Sequence, residues 1–313
     1  MRVLITGAGG FVGKHLIREF LQHGHEPLAF DLALERRLPV TTPSFTGDIL
    51  NAELLLRLVA DTRPDACVHL SGISFVPEGW QHPARMLSVN VLGTIHLLEA
   101  FRKSAPGARI LFISSAEVYG RQPRNRPIRE DELMNPDNPY AISKATADQL
   151  TLVYASRHGM HTMTARPVNH IGPGQSSQFV VPSFAEQLLS IARKQTSPVL
   201  KAGNLESSRD FTDVRDVVRA YRLLIENGKA GQAYNIASGH EASIQTILDQ
   251  LCDIIGVRPT VETDATRYRP TESRPKIAIG KIAEDVHWQA DIPLEVTLRD
   301  VVNELIRSSS NPI

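Results

Sequence analysis

The chain has 313 residues, enough for two domains or for one large α/β unit. Hydrophobic residues make up 42% and charged residues 22%, a mixture that excludes disordered and fibrous classes. Its 34 basic and 34 acidic residues cancel, which excludes a whole-chain nucleic-acid footprint and leaves room for a local basic cluster on an anionic small molecule. No run of about 18 apolar residues occurs, so no membrane span is expected. Cys67 lies in an apolar run and Cys252 in a helical pattern, a usage that fits a reducing compartment better than a stapled secreted fold. The first seven residues lead directly into a strand and a glycine turn, so no signal peptide is expected and the cytoplasm is the expected location.

In chain order, Val3-Leu4-Ile5 reads as a short buried strand followed at once by glycines. Residues 11–23 place apolar side chains at 11, 12, 16, 17, 20 and 21, a helical period. Strands are expected at 28–30, 66–70, 109–113 and 161–165. Helices are expected at 54–60, from Pro83 to 103, and at 140–158. Alternation of this kind predicts a parallel sheet covered on both faces. Beyond Arg166 the texture changes. Residues 169–178 are rich in Gly, Pro, Ser and Gln and read as loop. Helices follow at 181–194, 213–226 and 244–255, with a strand at 233–236. Residues 256–276 read as irregular and carry Arg258, Arg267, Arg269 and Arg274. The expected architecture is a doubly wound Rossmann-type domain over 1–166 plus about 212–236. A smaller α/β substrate lobe is expected from about 167–211 and 237–313.

Gly7, Gly10 and Gly13 form a G-x-x-G-x-x-G pattern that follows the first strand and opens the first helix. Glycine permits the tight turn and lets the backbone approach a pyrophosphate. The helix N-terminus, beginning with Phe11 and Val12, then supplies N–H groups and a favourable dipole. Asp31 ends the second strand, where an acid can bond the adenosine ribose hydroxyls and favours NAD over NADP. Arg36 and Arg37, just beyond, are the residues that could instead hold a 2′-phosphate. Asp48 and Ile49 are a candidate adenine contact.

Tyr140 and Lys144 stand four apart in a helical segment and so share one face. A neighbouring ammonium and an oxidised nicotinamide would both favour the phenolate and are expected to lower the tyrosine pKa. Tyr140 could then shuttle a proton while hydride moves to or from a carbonyl carbon. Lys144 could hold the nicotinamide ribose. Ser115 lies just past the C-terminal end of a strand, the edge at which open α/β sheets bind ligands, and could hydrogen-bond the reacting oxygen. Glu117 is a candidate acid/base or sugar contact. No metal site is expected.

Taken together, these residues resemble the extended short-chain dehydrogenase/reductase family, in the group that modifies nucleotide sugars. The markers are Gly7 to Gly13, Asp31, His69-Leu70-Ser71-Gly72, Asn90, Ser114 to Gly120, and Tyr140 with Lys144. The resemblance implies cofactor contacts from Leu70, Ser71, Gly72 and Asn90. Two C-terminal segments, Arg166 to Gln175 and Arg209 to Asp216, resemble the GDP-4-dehydro-6-deoxy-D-mannose reductases, which form GDP-D-rhamnose. Arg269-Pro270-Thr271-Glu272 resembles a segment of the GDP-mannose dehydratases. By that resemblance Asn169 and Val181 would contact the substrate, Arg209 its diphosphate, and Arg269 and Glu272 its nucleoside. Family members usually dimerise through helices like 84–103 and 140–157, so a homodimer is expected.

The resemblance implies reduction at C4 of a keto sugar, with Tyr140 protonating the oxygen and Ser115 polarising it. The rival is a GDP-mannose 4,6-dehydratase, which needs a base at C5 and an acid for the hydroxyl leaving C6. Glu117 could be that base, but Ala116 stands where dehydratases usually carry a polar or acidic residue. A nucleotide-sugar 4-epimerase with bound NAD shares the same Ser–Tyr–Lys set. A redox-dead dinucleotide-binding protein is argued against by the presence of all three.

Overall fold

Val3 and Ile5 pack into one hydrophobic cluster and Leu4, between them, packs into another. That is the period of two of a strand buried on both faces, and it sets the fold. The computed structural model describes residues 1–34, 38–39, 42–121, 126–264 and 276–310, with side chains to Ser308.

The chain opens with β1 (Arg2–Thr6), α1 (Phe11–Gln22), β2 (Glu26–Asp31), β3 (Ser44–Thr46) and α2 (Ala52–Thr62). Then come β4 (Ala66–His69), α3 (Val76–Gln81), α4 (Pro83–Leu87), a π-helical turn (Ser88–Leu92) and α5 (Gly93–Ser104). After β5 (Arg109–Ile113) and a 3₁₀ turn (Ala116–Tyr119) come α6 (Pro139–His158) and β6 (His161–Pro167). Next are β7 (Asn169–Ile171), α7 (Val180–Ala192), β8 (Val199–Ala202), β9 (Ser208–Asp213) and α8 (Val214–Asn227). The chain closes with β10 (Ala233–Ile236), β11 (Glu241–Ser243), α9 (Ile244–Ile255), β12 (Thr260–Thr263), α10 (Gly280–Val286) and α11 (Leu294–Ser310).

Seven strands form one parallel sheet in the order β10-β6-β5-β4-β1-β2-β3. The strand order reverses between β1 and β4, which opens a crevice at the carboxyl edge of the sheet. α1 and α8 cover one face, through Leu16, Ile17, Phe20, Val217 and Tyr221. α2 and α5 cover the other, through Leu55, Val59, Leu97 and Phe101. β10 joins the large sheet although its sequence lies beyond the texture change at Arg166. A separate cluster gathers Val181, Phe184, Leu188 and Phe211 with Ile247, Leu251 and Leu298. Two small sheets, β11-β9-β7 and β12-β8, lie in this later part of the chain.

The expected continuous helix from Pro83 to 103 is broken by the π turn, which carries Asn90 inward to 1% exposure. The expected loop 169–178 contains a short strand, and the expected irregular stretch 256–276 contains β12. α6 starts cleanly. Asn138 accepts a hydrogen bond from the Ala141 N–H and Pro139 sits in the first turn. Its inner face is built of small or polar residues, Ala141, Ser143, Lys144, Ala145, Ala147 and Asp148, so the helix lies close against the sheet. No described helix is long and apolar enough to cross a membrane.

Candidate active site

Four loops meet at the carboxyl edge of the sheet, after β1, β4, β5 and β6. The first is the glycine turn. Gly7 has φ +72°, and a side chain there would stand 2.8 Å from the Ser71 nitrogen. A side chain on Gly13 would stand 2.5 Å from the Ala8 carbonyl, so this glycine is what lets α1 sit tight on its own turn. No side chain caps α1 at Gly10, which leaves the N–H groups at Phe11 and Val12 open to an anion. The Phe11 ring stacks on His170 at 6.2 Å, so the turn touches the loop after β6 directly.

Asp31 accepts hydrogen bonds from the Gly9 N–H at 2.9 Å and the Leu32 N–H at 2.7 Å. Its carboxylate thus fixes the turn, and it keeps further lone pairs for another donor. Asp48 is exposed and caps its own turn through the Leu50 N–H, while Ile49 is buried. Arg36 and Arg37 lie outside the described residues.

The second loop carries Leu70, Ser71 and Gly72. Asn90 accepts from the Ile73 N–H at 2.7 Å, donates to the Ile73 carbonyl, and donates to Ser143 Oγ at 2.9 Å. One buried amide therefore ties this loop to α6. A side-chain carbon on Gly72 would lie 3.0 Å from Asn90 Oδ1 and 3.5 Å from Lys144 Nζ. His69 is held between Thr6 and Thr94, and burial, with Lys144 nearby, pushes its pKa down to about 3.

Lys144 is 5% exposed and donates to the Ile113 carbonyl at 2.7 Å. Burial lowers its pKa to about 8, and the Asp148 carboxylate works against that fall. Tyr140 is hydrogen-bonded to Ser115. Its pKa rises to about 12, because burial and then the Glu117 charge outweigh the Ser115 bond. The expected lowering is therefore not what the protein shows without cofactor. The Lys144 ammonium is turned to a backbone carbonyl, and desolvation of the phenol dominates. Ser115 Oγ also accepts from the Glu117 N–H at 3.1 Å, which orients the hydroxyl.

Beside Ser115 opens a cavity of about 270 Å³. Ser115, Ala116 and Glu117 form its near wall. Val168, Asn169, Arg209 and Asp210 face them, with Lys276 to Ile279 closing one side. The described wall does not include Tyr140 or Lys144, and Ser115 is the residue common to the wall and the Tyr140 bond. Arg209 donates to its neighbour's carbonyl at 2.7 Å, and Asp210 pins the following loop through Ser238 and the Gly239 N–H.

The structure brings together Gly7 to Gly13, Asp31, Leu70 to Gly72, Asn90, Ser115, Glu117, Tyr140 and Lys144 at one sheet edge, with Asn169 and Arg209 across the cavity. It does not bring Val181 to the cavity: that side chain is fully buried in the later cluster. Arg258 pairs with Asp253 on α9 and faces elsewhere. Arg267, Arg269, Glu272 and Arg274 lie outside the described residues. No local pattern points to Lys276, Gly239 or Glu241. Asp210 sat unremarked beside Arg209 in a segment already singled out.

A family model described as GDP-mannose 4,6 dehydratase matches residues 4–301. The GDP-6-deoxy-D-mannose reductase of Pseudomonas aeruginosa is 37% identical over 97% of this chain and 96% of its own. The dTDP-glucose 4,6-dehydratase of Salmonella typhimurium is 27% identical over 94% and 89%. Among solved structures, RMD from Pseudomonas aeruginosa complexed with NADPH superposes with a TM-score of 0.84 at 34% identity, covering 97% of this chain and 98% of that one. UDP-glucose 4-epimerase from Thermotoga maritima with UDP-glucose superposes with a TM-score of 0.88 at 26% identity, covering 99% and 100%. The chain belongs to the GDP-mannose 4,6-dehydratase family and is an enzyme of the extended short-chain dehydrogenase/reductase type.

Proposed function

We propose that this enzyme reduces the C4 keto group of GDP-4-dehydro-6-deoxy-D-mannose to give GDP-D-rhamnose. A dinucleotide fits the crevice: the Gly7 and Gly13 turn leaves backbone where side chains would stand, and no side chain blocks the start of α1. When bound, reduced NAD or NADP supplies the hydride. Phe11 and Val12 offer N–H groups to its pyrophosphate, Asp31 takes the adenosine ribose hydroxyls, and Asp48 and Ile49 flank the adenine. Leu70, Ser71, Gly72 and Asn90 line the path toward Lys144, whose ammonium holds the nicotinamide ribose. Asp31 favours NADH.

The sugar's reacting end occupies the cavity beside Ser115. Ser115 would donate to the C4 oxygen, and Tyr140 would deliver the proton that this oxygen takes up on reduction. A donor must begin protonated, and a phenol pushed up to about 12 does so at neutral pH. Arg209 and Asn169 hold the diphosphate and sugar, a doubly anionic group suited to guanidinium. Arg269 and Glu272 hold the nucleoside.

The observation that carries reduction over elimination is Ala116 in the cavity wall between Ser115 and Glu117. Its methyl group cannot protonate a hydroxyl leaving C6. Glu117, in the same wall, is what a dehydratase would use as base and keeps that reading as the rival. Incubation with GDP-4-dehydro-6-deoxymannose should consume NADH or NADPH, while GDP-mannose alone stays intact. Water loss from GDP-mannose, with no cofactor consumed in the first arm, would establish the dehydratase.

The chain divides on this reading into a dinucleotide-binding part, 1–166 with about 212–236, and a sugar-nucleotide part, about 167–211 with 237–313. A homodimer is part of the proposal. Leu87 and Leu92 on one helical run and Ile142 and Val153 on α6 are exposed apolar residues that a helical interface would cover. A single monomeric species in sedimentation at micromolar concentration would remove the dimer. Cytoplasmic location belongs to the same proposal, supported by Cys67 and Cys252 both being free and buried.

A further inference from the structure

Beneath the cavity runs a chain of buried polar side chains that the proposed reaction does not use. It starts at Asp148 on α6, one helical turn beyond Lys144. Asp148 is fully buried and receives a two-pronged bond from Arg166, at 2.9 Å to each oxygen. Arg166 lies at the carboxyl end of β6, just before the Val168 and Asn169 wall, and is 3% exposed. Its Nη1 donates to the Glu130 carbonyl at 2.9 Å and to the Tyr119 hydroxyl at 2.8 Å. Tyr119 closes the turn that begins at Ser115 and Glu117. Its hydroxyl donates to Asn235 Oδ1 at 2.8 Å. Asn235 then donates to the carbonyls of Ile128 at 3.1 Å and Ala278 at 3.2 Å, and Ala278 lies in the cavity wall.

Every direction in this chain is forced. Guanidinium only donates, so the Tyr119 oxygen accepts from it and must give its own proton to Asn235 Oδ1. Asn235 is then left with its amide nitrogen to donate. The Tyr119 phenol, pushed up to about 12 chiefly by burial, stays protonated and keeps the direction. The chain touches the catalytic helix, the Ser115 turn, the end of β6 and the Ala278 wall. A buried ion pair is weak grounds for stability on its own, because desolvation offsets its attraction. A fully satisfied buried network does fix the relative placement of the elements it joins.

We propose that Asp148, Arg166, Tyr119 and Asn235 form a positioning relay that sets Tyr140 and Lys144 against both cavity walls, with Asp148 also serving as the counter-charge of Lys144. The relay rests on the proposed function, in which Lys144 holds the dinucleotide and the sugar lies in the cavity. The groups facing Lys144 among the described residues are Asp148 on its own helix, His69 at the end of β4, and the Phe112 ring and Ile113 carbonyl of β5. His69 is neutral, so Asp148 is the one anion among them.

The test is Asp148→Asn, which keeps the shape and one of the two bonds accepted from Arg166, gives up the other, and removes the charge. NADPH affinity is followed by fluorescence titration from about pH 6 to about pH 9.5, bracketing the Lys144 titration near 8. Affinity should weaken as pH rises in both proteins, with the variant's midpoint lower by about one unit, so that midway between the two midpoints it binds about threefold more weakly and above both about tenfold. An unmoved midpoint in a folded variant overturns the proposal. Should Asp148→Asn not fold, Tyr119→Phe decides, since it deletes a single hydroxyl at the centre of the relay. That variant should lose about tenfold in kcat with NADPH affinity unchanged, and an unchanged kcat overturns the proposal. Lys144→Met separates the two claims. Wild-type affinity there removes Lys144 from the proposed function and the counter-charge with it. A Lys144→Met defect with an unmoved Asp148→Asn profile overturns the relay alone.

Discussion

The sheet edge and the far wall of the cavity are built in opposite ways. The sheet edge is made of loops that each follow a strand ending there, Gly7 after β1, Ser71 after β4 and Ser115 after β5, and of these three Ser115 is the one that lines the cavity. The far wall gathers Asn169, Arg209, Gly239 and Lys276 from segments scattered over more than a hundred residues of sequence. The sheet edge, with Tyr140 and Lys144 on α6, holds the groups proposed to move a proton and to hold the dinucleotide. The far wall holds the cations suited to a diphosphate. The difference teaches that reaction type is written in short-range spacing, while substrate identity is written in packing between distant segments. Substitutions in the two regions should therefore separate kcat from KM.

The largest expected effect is at the sheet edge. Tyr140→Phe should lower turnover about 10²- to 10⁴-fold while NADPH affinity changes less than about twofold, measured by steady-state kinetics and titration. Equal loss of affinity and turnover would mean that Tyr140 binds rather than donates.

Lys144→Met should make the fold more stable near neutral pH, by up to about 3 kcal/mol in urea unfolding. The sign follows from burial. Lys144 titrates near 8 when folded and near the ordinary 10.5 when unfolded, so below 8 the fold carries a buried charge at a cost. That cost disappears as pH rises from 8 toward 10.5, and the gap between variant and wild type should close over the same window. A gap that widens with pH would show that the ammonium stabilises the fold. On the far wall, Arg209→Met should raise KM for the sugar nucleotide about 10- to 100-fold with kcat little changed, the loss of one or two charge-assisted hydrogen bonds. A fall in kcat with KM unchanged would place Arg209 at the reacting carbon. The smallest effect is expected where α1 meets β7. Phe11→Leu removes the stack on His170 and should cost about 1 kcal/mol in stability, with a modest rise in both KM values.

The same contrast explains what could be seen in the sequence. β1, the glycine turn, α1 and α6 with its Tyr–Lys pair were legible because strand and helix periods act over a few residues. The π turn was not, since Asn90 is drawn inward by a loop some seventeen positions away. β8, β9, β11 and β12 escaped notice because they are short and partly exposed, with no apolar run to mark them. Val181 was assigned to the substrate and proves to be core, since a helical apolar position looks the same in either role. The Tyr140 shift was expected with the wrong sign. Spacing places Lys144 on the same helix face, but only the folded backbone shows its ammonium turned to the Ile113 carbonyl. Lys276 could not be read at all, as nothing local distinguishes a cation at a cavity rim, here beside Glu241, from one that faces water only.

The central claim is hydride delivery to C4 with Ala116 leaving no acid for elimination. It is tested most directly by supplying GDP-4-dehydro-6-deoxymannose with NADPH or NADH deuterated on the transferring carbon and reading the sugar product by NMR and mass spectrometry. One deuterium at C4 of a 6-deoxyhexose is the result predicted. No deuterium in the sugar, together with loss of water from GDP-mannose by the same preparation, would contradict it.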